Sequence, residues 1–218
     1  MPFAPAPAPS IALEGERPVV PELHRPCPDD MVTLPTFCID RYEAPNERGA
    51  VPYTFRTADD GEAWCTERGK RLCTEAEWVR ACEGASGRAY PYGDRYEPQA
   101  CNDSKLWKSP DWTLMQTYPS PAAVEEAKRL LQAEASGSRD RCVSEEGVHD
   151  LTGNVAEWVV RSYPNPTNYG HLLKGCFWVG CKRSPHPSCD YQNFAHPGAF
   201  RTYEAGFRCC SARGETDR

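Results

Sequence analysis

Apolar positions in this chain come in short runs broken by Gly, Pro, Asn and Asp, with no long amphipathic repeat and no internal repeat. Residues 31–46, MVTLPTFCIDRYEAPN, set apolar and β-forming side chains ahead of a Pro-Asn stop, the pattern of a strand entering a loop. Residues 57–70, TADDGEAWCTERGK, predict a short helix starting at Thr57 or Asp59 and finishing at Gly69, with Ala63 and Trp64 as its apolar contacts. In RLCTEAEWVRACEG, Thr74 and Glu77 stand three apart. The hydroxyl can accept from the Glu77 amide while the carboxylate accepts from the Thr74 amide, so a second helix follows and ends near Gly84. Between Ser109 and Arg141 the texture changes. SPAAVEEAKRLLQAEASGS offers Ser120 as N-cap, Pro121 at the first helical position, and Val124, Ala127, Leu130 and Leu131 on one face, which predicts an inserted helix at about 120–136 with flexible flanks. HLLKGCFWV and AGFRCC read as further strands. Two small helices set in irregular β structure make an α+β fold in which loops outweigh regular elements.

Composition adds sulfur to this picture. A chain of 218 residues buries enough surface to fold as one domain without crosslinks, yet it holds 12 cysteines, 21 prolines and 16 glycines. That combination predicts a loop-rich globule stapled by disulfides in an oxidising compartment. A cytosolic zinc protein is the rival, and zinc sites are usually built from C-x-x-C pairs, of which there are none; Cys209 and Cys210 are the one adjacent pair. The formal net charge of −6 argues against nucleic acid as a partner. No apolar run reaches the roughly 20 residues of a membrane span, and the N-terminus lacks a basic-then-apolar leader pattern, so an exported form has had its leader removed. Residues 1–25, opening MPFAPAPAPS, read as an extended Pro/Ala-rich tether to a membrane anchor or cleaved leader, or as a disordered end with no task. The folded domain is expected over 26–213, with 214–218 a tail.

The candidate chemistry concentrates in GVHDLTGNVAEW, residues 147–158. Calcium takes several oxygen ligands, and a turn supplies them by alternating carboxylates with backbone carbonyls. Asp150 and Glu157 would bring charge, and Gly153 and Val155 carbonyls, glycine permitting the sharp turn. The alternative is that the two acids only cap the turn. His24, His149, His171 and His196 are scattered, with no H-x-x-x-H or H-E-x-x-H spacing. Cys181 and Cys189 flank KRSPHPS and suggest a disulfide closing a Pro-stiffened loop with His186 at the surface; a mixed Cys181/His186/Cys189 metal site is the competing reading. Cys65 and Cys73 bracket the junction of the two helices, and Cys101 and Cys142 flank the insertion. Trp107 and Trp112 are expected at the surface, and Trp64, Trp78, Trp158 and Trp178 in the core.

The blocks FCIDRYEAPN, GKRLCTEAEW, GRAYPYGD, GVHDLTGNVAEW, LLKG and AGFRCC stand in the order and rough spacing of the sulfatase-modifying factor (formylglycine-generating enzyme) family, which the chain resembles over residues 31–210. The resemblance implies a C-type-lectin-like fold with little regular structure and a calcium-stabilised core. It implies calcium at Asp150, Gly153, Val155 and Glu157, and a second ion beginning at Asn102 and Asp103, whose later ligands cannot be placed across the insertion. It also suggests a disulfide from Cys38 to Cys209 or Cys210, since first and last strands often meet in lectin-like folds.

The family's enzyme holds copper between two cysteines five positions apart and oxidises a substrate cysteine; soft thiolates suit Cu(I). Cys176 and Cys181 have that separation. Counted from the family's KGG entry, however, Cys176 falls on the second glycine, the first copper cysteine would fall near Val179 or Gly180, and the serine-tyrosine text around the family pair is absent. Three readings follow. The preferred one is an exported (secreted, periplasmic or cell-surface), calcium-stabilised, noncatalytic module that binds a protein or peptide. The second is a copper- and O2-dependent oxidoreductase using Cys176 and Cys181, and the third a different reaction in the same groove.

Overall fold

The computed structural model describes residues 27–181 and 186–213. The segment 1–25, His24, residues 182–185 of the KRSPHPS loop and the tail 214–218 lie outside the described residues.

The expected strand at 31–46 is a hairpin of β1 (Met31–Thr33) and β2 (Phe37–Asp40). Pro35 cannot donate to a ladder, and the chain turns there, with Leu34 N donating to Phe37 O at 2.9 Å. Helix α1 (Ala58–Thr66) starts at Thr57, whose hydroxyl accepts from Asp60 N while the Asp60 carboxylate accepts from Thr57 N. A short β3 (Arg71–Leu72) leads into α2 (Glu75–Glu83), which has the expected Thr74/Glu77 box and ends at Gly84. Helix α3 (Trp112–Met115) was not visible in the pattern; Asp111 caps it. Helix α4 (Pro121–Leu130) has Ser120 as N-cap and Pro121 first, and it stops at Leu130. Its buried positions are Ala123, Glu126 and Leu130 rather than a stripe through Val124, because Glu126 turns inward to the Asp111 amide and Arg129.

The remaining strands are β4 (Ala156–Val160), β5 (His171–Lys174), β6 (Ala205–Phe207) and β7 (Cys209–Ala212). They form two sheets, β1-β2-β7-β3 and β5-β4-β6. The first is antiparallel throughout, whereas β4 runs antiparallel to β5 and parallel to β6. AGFRCC is therefore two strands in two sheets, with Arg208 at the passage between them. Strand side chains alternate between faces. Trp158, Leu173 and Cys209 enter one core cluster with Phe207 and Trp178; Val159, Leu172 and Cys210 enter the other with Ile39 and Trp78. Both faces are covered, which is why these strands read as nearly continuous apolar runs. Trp78, Trp158 and Trp178 are fully buried and Trp64 partly, while Trp107 and Trp112 are exposed.

No described cysteine is free. Cys38 pairs with Cys27, not with the terminal pair. Strands β2 and β7 do meet, but Cys210 sits opposite Ile39 and Cys38 opposite Ser211, so the sulfurs of Cys38 and Cys210 point to different faces. By the same alternation Cys209 reaches Cys65 of α1, and Cys210 reaches Cys73. Cys181 does not pair with Cys189: the bridges are Cys176–Cys181 and Cys82–Cys189, and Cys101 joins Cys142. His186 is half-buried, stacked on Tyr96 with ring centroids 3.7 Å apart, rather than a surface residue.

Candidate functional site

The turn before β4 is built from left-handed backbone. Asp150, Gly153 and Asn154 have φ of 59°, 78° and 53°. A Cβ at position 153 would stand 2.5 Å from Asn102 O, so glycine is required there by space as well as by φ. Asn154 ties the turn together. Its side-chain nitrogen donates to Glu43 Oε1 (2.9 Å), its side-chain oxygen accepts from Asn102 Nδ2 (3.0 Å) and Glu134 N (2.8 Å), and its own N–H donates to Asn102 O (2.7 Å).

Carboxylates gather beneath this turn. Glu157, facing inward from β4, accepts at Oε2 from Trp78 Nε1 (2.8 Å) and Arg208 Nε (2.7 Å), and at Oε1 from Arg208 Nη2 (2.7 Å). Arg208 also donates to the carbonyls of Asp40 (3.2 Å) and His149 (2.9 Å). Asp150 Oδ2 accepts from Gly137 N (2.7 Å), and Glu43 Oε2 from Ser136 Oγ (2.8 Å). Burial pushes the Asp150 carboxyl up to about 6, with the negative charges of Glu157 and Glu134 adding to the effect. Burial and the neighbouring Asp150 charge hold Glu43 well above the usual carboxylate range. His149 stacks on Tyr42 at 5.1 Å; burial, then the Arg208 charge, lower its pKa.

Asn102 and Asp103 lie against the same turn, both buried. Asn102 Oδ1 and Asp103 Oδ2 have no hydrogen-bond partner among the described residues. Burial raises the Asp103 carboxyl. The structure thus brings Asp150, Gly153, Glu157, Asn102 and Asp103 into one neighbourhood and adds Glu43, Asn154 and Arg208. Sequence reasoning grouped Asn154 with Asp150 and Glu157 around Gly153 but did not single out Glu43 and Arg208, although these stand inside the quoted blocks EAPN and AGFR. Nothing in local spacing tells that residues 43 and 208 meet residue 157. Among the described residues, no three His, Cys, Asp or Glu side chains form a metal-holding cluster, so an ion at the turn would need backbone carbonyls as well.

Beyond β5 the chain changes character. Gly175 and Cys176, with φ of 79° and 60°, swing it into the loop closed by the Cys176–Cys181 disulfide, whose Cα atoms are 5.2 Å apart. Backbone bonds also hold this loop: Trp178 N to Asn154 O (3.0 Å), Lys105 N to Trp178 O (2.8 Å) and Gly180 N to Phe177 O (2.7 Å). Cys176 lines a cavity of about 300 Å³ between the end of β5 and residues 191–196. Cys181, Cys189 and His186 do not form a shared site, since each cysteine is committed to a different bridge.

A family model described as the sulfatase-modifying factor enzyme 1-like domain matches residues 41–213. The chain is 27% identical over 171 residues to the inactive C-alpha-formylglycine-generating enzyme 2 of Mus musculus, covering 77% of this chain and 51% of that protein. It is 39% identical over 62 residues to the formylglycine-generating enzyme of Mus musculus, covering 28% of this chain and 17% of that protein. The chain spans about half the length of the first of these relatives. Among solved structures it is similar to CarF, with a TM-score of 0.54 and 15% identity over 83% of this chain and 87% of that one, a likeness of fold. The quoted blocks, the sparse α+β architecture with its six bridges, and the match over 41–213 agree, and the chain belongs to the sulfatase-modifying factor enzyme 1-like domain family.

Proposed function

We propose that this chain is an exported, calcium-stabilised, noncatalytic domain of its family that binds a protein or peptide partner. One observation carries the noncatalytic reading: Cys176 and Cys181 are joined to each other. Cu(I) needs thiolate ligands, and a disulfide offers none. The only pair at the family's copper spacing does not fit the metal in this state, and no oxidation step is routed through it. The name of the inactive mouse relative supports the same reading. Six disulfides match an oxidising compartment, and the setting proposed is secreted, periplasmic or cell-surface. No helix among the described residues is long and apolar enough to cross a membrane. The exposed Leu106, Trp107 and Trp112 are the apolar surface offered to a partner.

Calcium fits the turn by charge and by lone pairs. Three buried carboxylates, Glu43, Asp150 and Glu157, face one buried guanidinium, Arg208, and would leave two negative charges uncompensated when ionised. Glu157 Oε2 already takes two donors, whereas Oε1 takes one and keeps a lone pair for a cation. Asp150 and Glu157, with the carbonyls of Gly153 and Val155, would hold the ion, which would supply charge and crosslinking rather than chemistry. The unpartnered oxygens of Asn102 and Asp103 support a second ion there.

The test is a thiol count on native protein purified without reductant, unfolded in guanidinium with a chromogenic disulfide reagent, followed by peptide mapping. The expected result is no free thiol. Two thiols mapping to Cys176 and Cys181, with stoichiometric Cu(I) bound by the native protein, would restore the oxidoreductase reading and end this one.

A further inference from the structure

Residues 147–149 pack against residues 41–48 and build a basic corner that the functional reading does not use. His149 N donates to Arg41 O (2.9 Å), and the His149 ring stacks on Tyr42 with centroids 5.1 Å apart. Arg41 Nη1 crosses to Gly147 O (3.3 Å), which places its guanidinium on the same turn as the imidazole. Asn46, left-handed at φ 65° and accepting from Tyr42 N at Oδ1 (3.0 Å), turns the chain back so that Arg48 returns toward Tyr42. A Cβ at Gly137 would stand 2.7 Å from Tyr42 Cε1 and 3.5 Å from Arg48 Cγ. Glycine there makes room for the Arg48 stem beside the tyrosine ring.

Little of this charge is neutralised. Among the described residues Arg41 forms no ion pair, and its one side-chain hydrogen bond goes to the Gly147 carbonyl. Arg48 meets one acid, Asp140, at 3.6 Å, and with side chains 66% and 87% exposed the pair is worth little in water. His149 Nδ1 is buried with no hydrogen-bond partner among the described residues, so nothing pins the ring hydrogen there and the neutral imidazole can carry it on Nε2. Burial, then the charges of Arg208, Arg48 and Arg41, lower the His149 pKa, with Asp140 opposing. Arg208 is consumed by Glu157, whereas Arg41 and Arg48 are not. The corner is positive although the chain carries a net charge of −6. Two guanidiniums beside an imidazole form the donor set that suits an oxyanion.

We propose that Arg41, Arg48 and His149 bind a tetrahedral oxyanion, a sulfate or phosphate group, the guanidiniums giving charge-assisted hydrogen bonds and His149 Nε2 a further donor. An inorganic ion and a sulfate or phosphate ester share that chemistry. Gly147 holds Arg41 and Tyr42 holds His149, so two of the three donors are ordered before the anion arrives, which lowers the cost of binding. Arg48 exchanges its screened contact with Asp140 for the anion. The proposal goes beyond the noncatalytic reading and depends on neither the cysteines nor calcium.

The experiment is isothermal titration of the full chain at pH 7 and constant ionic strength with sodium sulfate, sodium phosphate, phenyl sulfate and phenyl phosphate, and with sodium acetate as the control. The tetrahedral anions are expected to bind and acetate is not. Tighter binding of the phenyl esters than of the inorganic ions assigns the site to an ester; equal or weaker binding assigns it to the free ion. Arg48→Gln, at an exposed position, is expected to weaken binding about tenfold with the fold intact. His149→Phe keeps a ring on Tyr42 and removes the donor, and is expected to weaken it several-fold. Lys128→Gln makes the same change of charge on the exposed face of α4 and is expected to leave binding unchanged. The proposal is overturned if no tetrahedral anion binds, if acetate binds as well, if Lys128→Gln weakens binding as much as Arg48→Gln, or if folded Arg48→Gln or His149→Phe binds like the parent. The thiol count reads the noncatalytic proposal separately, so either can fail alone.

Discussion

Arg208 and Lys174 are two buried cations that share one tryptophan and have opposite fates. Trp78 donates its indole N–H to the same Glu157 that Arg208 grips, and offers its ring face to Lys174. Arg208 donates to both oxygens of Glu157 and to the carbonyls of Asp40 and His149, closing the passage from β6 to β7. A planar guanidinium with five donors can bind a carboxylate and backbone together. Lys174 has no hydrogen-bond acceptor among the described residues, and the charge that acts on it most is that of Glu75, whose Oε1 is itself buried without a partner. The difference separates a charge that the fold consumes from one that it leaves available. The carboxylates at the 150–157 turn grip a guanidinium and still keep a lone pair on Glu157 Oε1, whereas Lys174 meets its neighbours through charge and a ring face alone.

The largest test of this contrast is Arg208→Met. It strands Glu157, Glu43 and Asp150 without their cation, and is expected to cost about 3–5 kcal/mol in urea unfolding with disulfides intact. Lys174→Met removes a cation that no hydrogen-bond acceptor among the described residues engages, and is expected to be neutral or stabilising. A larger loss from Lys174→Met than from Arg208→Met would reverse the assignment.

Next in size is an alkaline effect. The Lys174 pKa is lowered from 10.5 to about 8 by burial, so between those values the unfolded chain binds more protons than the folded one. Stability from this group therefore rises as pH goes from 8 to 10.5, by up to about 3 kcal/mol. The difference between parent and Lys174→Met, measured by unfolding at pH 7, 9 and 10.5, isolates it. A flat difference across that window would mean that the ammonium is paired after all.

Calcium is expected to give the smallest change. An ion at the turn adds about 2.7 kcal/mol when present at one hundred times its Kd, read as a rise in Tm over chelated protein, and Asp150→Asn removes most of the gain. Because burial holds Asp150 at about 6 in the ion-free protein, the carboxyl must lose a proton to bind, and the gain shrinks as pH falls below 6. An identical Tm with calcium and with chelator at pH 7.5 would leave Arg208 as the sole counterion of the turn.

How much of this was legible in the sequence varied with distance along the chain. Both capping boxes are contacts across three residues; Thr74 and Ser120 could be named as caps because the partners are neighbours, and Thr57 stood with Asp59 as one of two possible starts, of which the structure takes Thr57. The left-handed turn announced itself through Gly153, and the family blocks carried the fold. The split of AGFRCC did not show, since the change of sheet at Arg208 has no local signature.

By itself the sequence determined that the chain is an α+β domain of this family, rich in bridges, with two acidic side chains, Asp150 and Glu157, gathered in one turn. It could not determine which sulfurs pair. Cys38 and Cys210 sit on facing strands, and only the register, opposing Ile39 to Cys210, puts their sulfurs on different faces. Nor could it foresee that Glu43, Glu157 and Arg208 share one buried network, or that Lys174 would be buried over Trp78 with no hydrogen-bond acceptor among the described residues. Those are properties of what long-range packing encloses, and a side chain's charge says nothing of its company until the chain has closed around it.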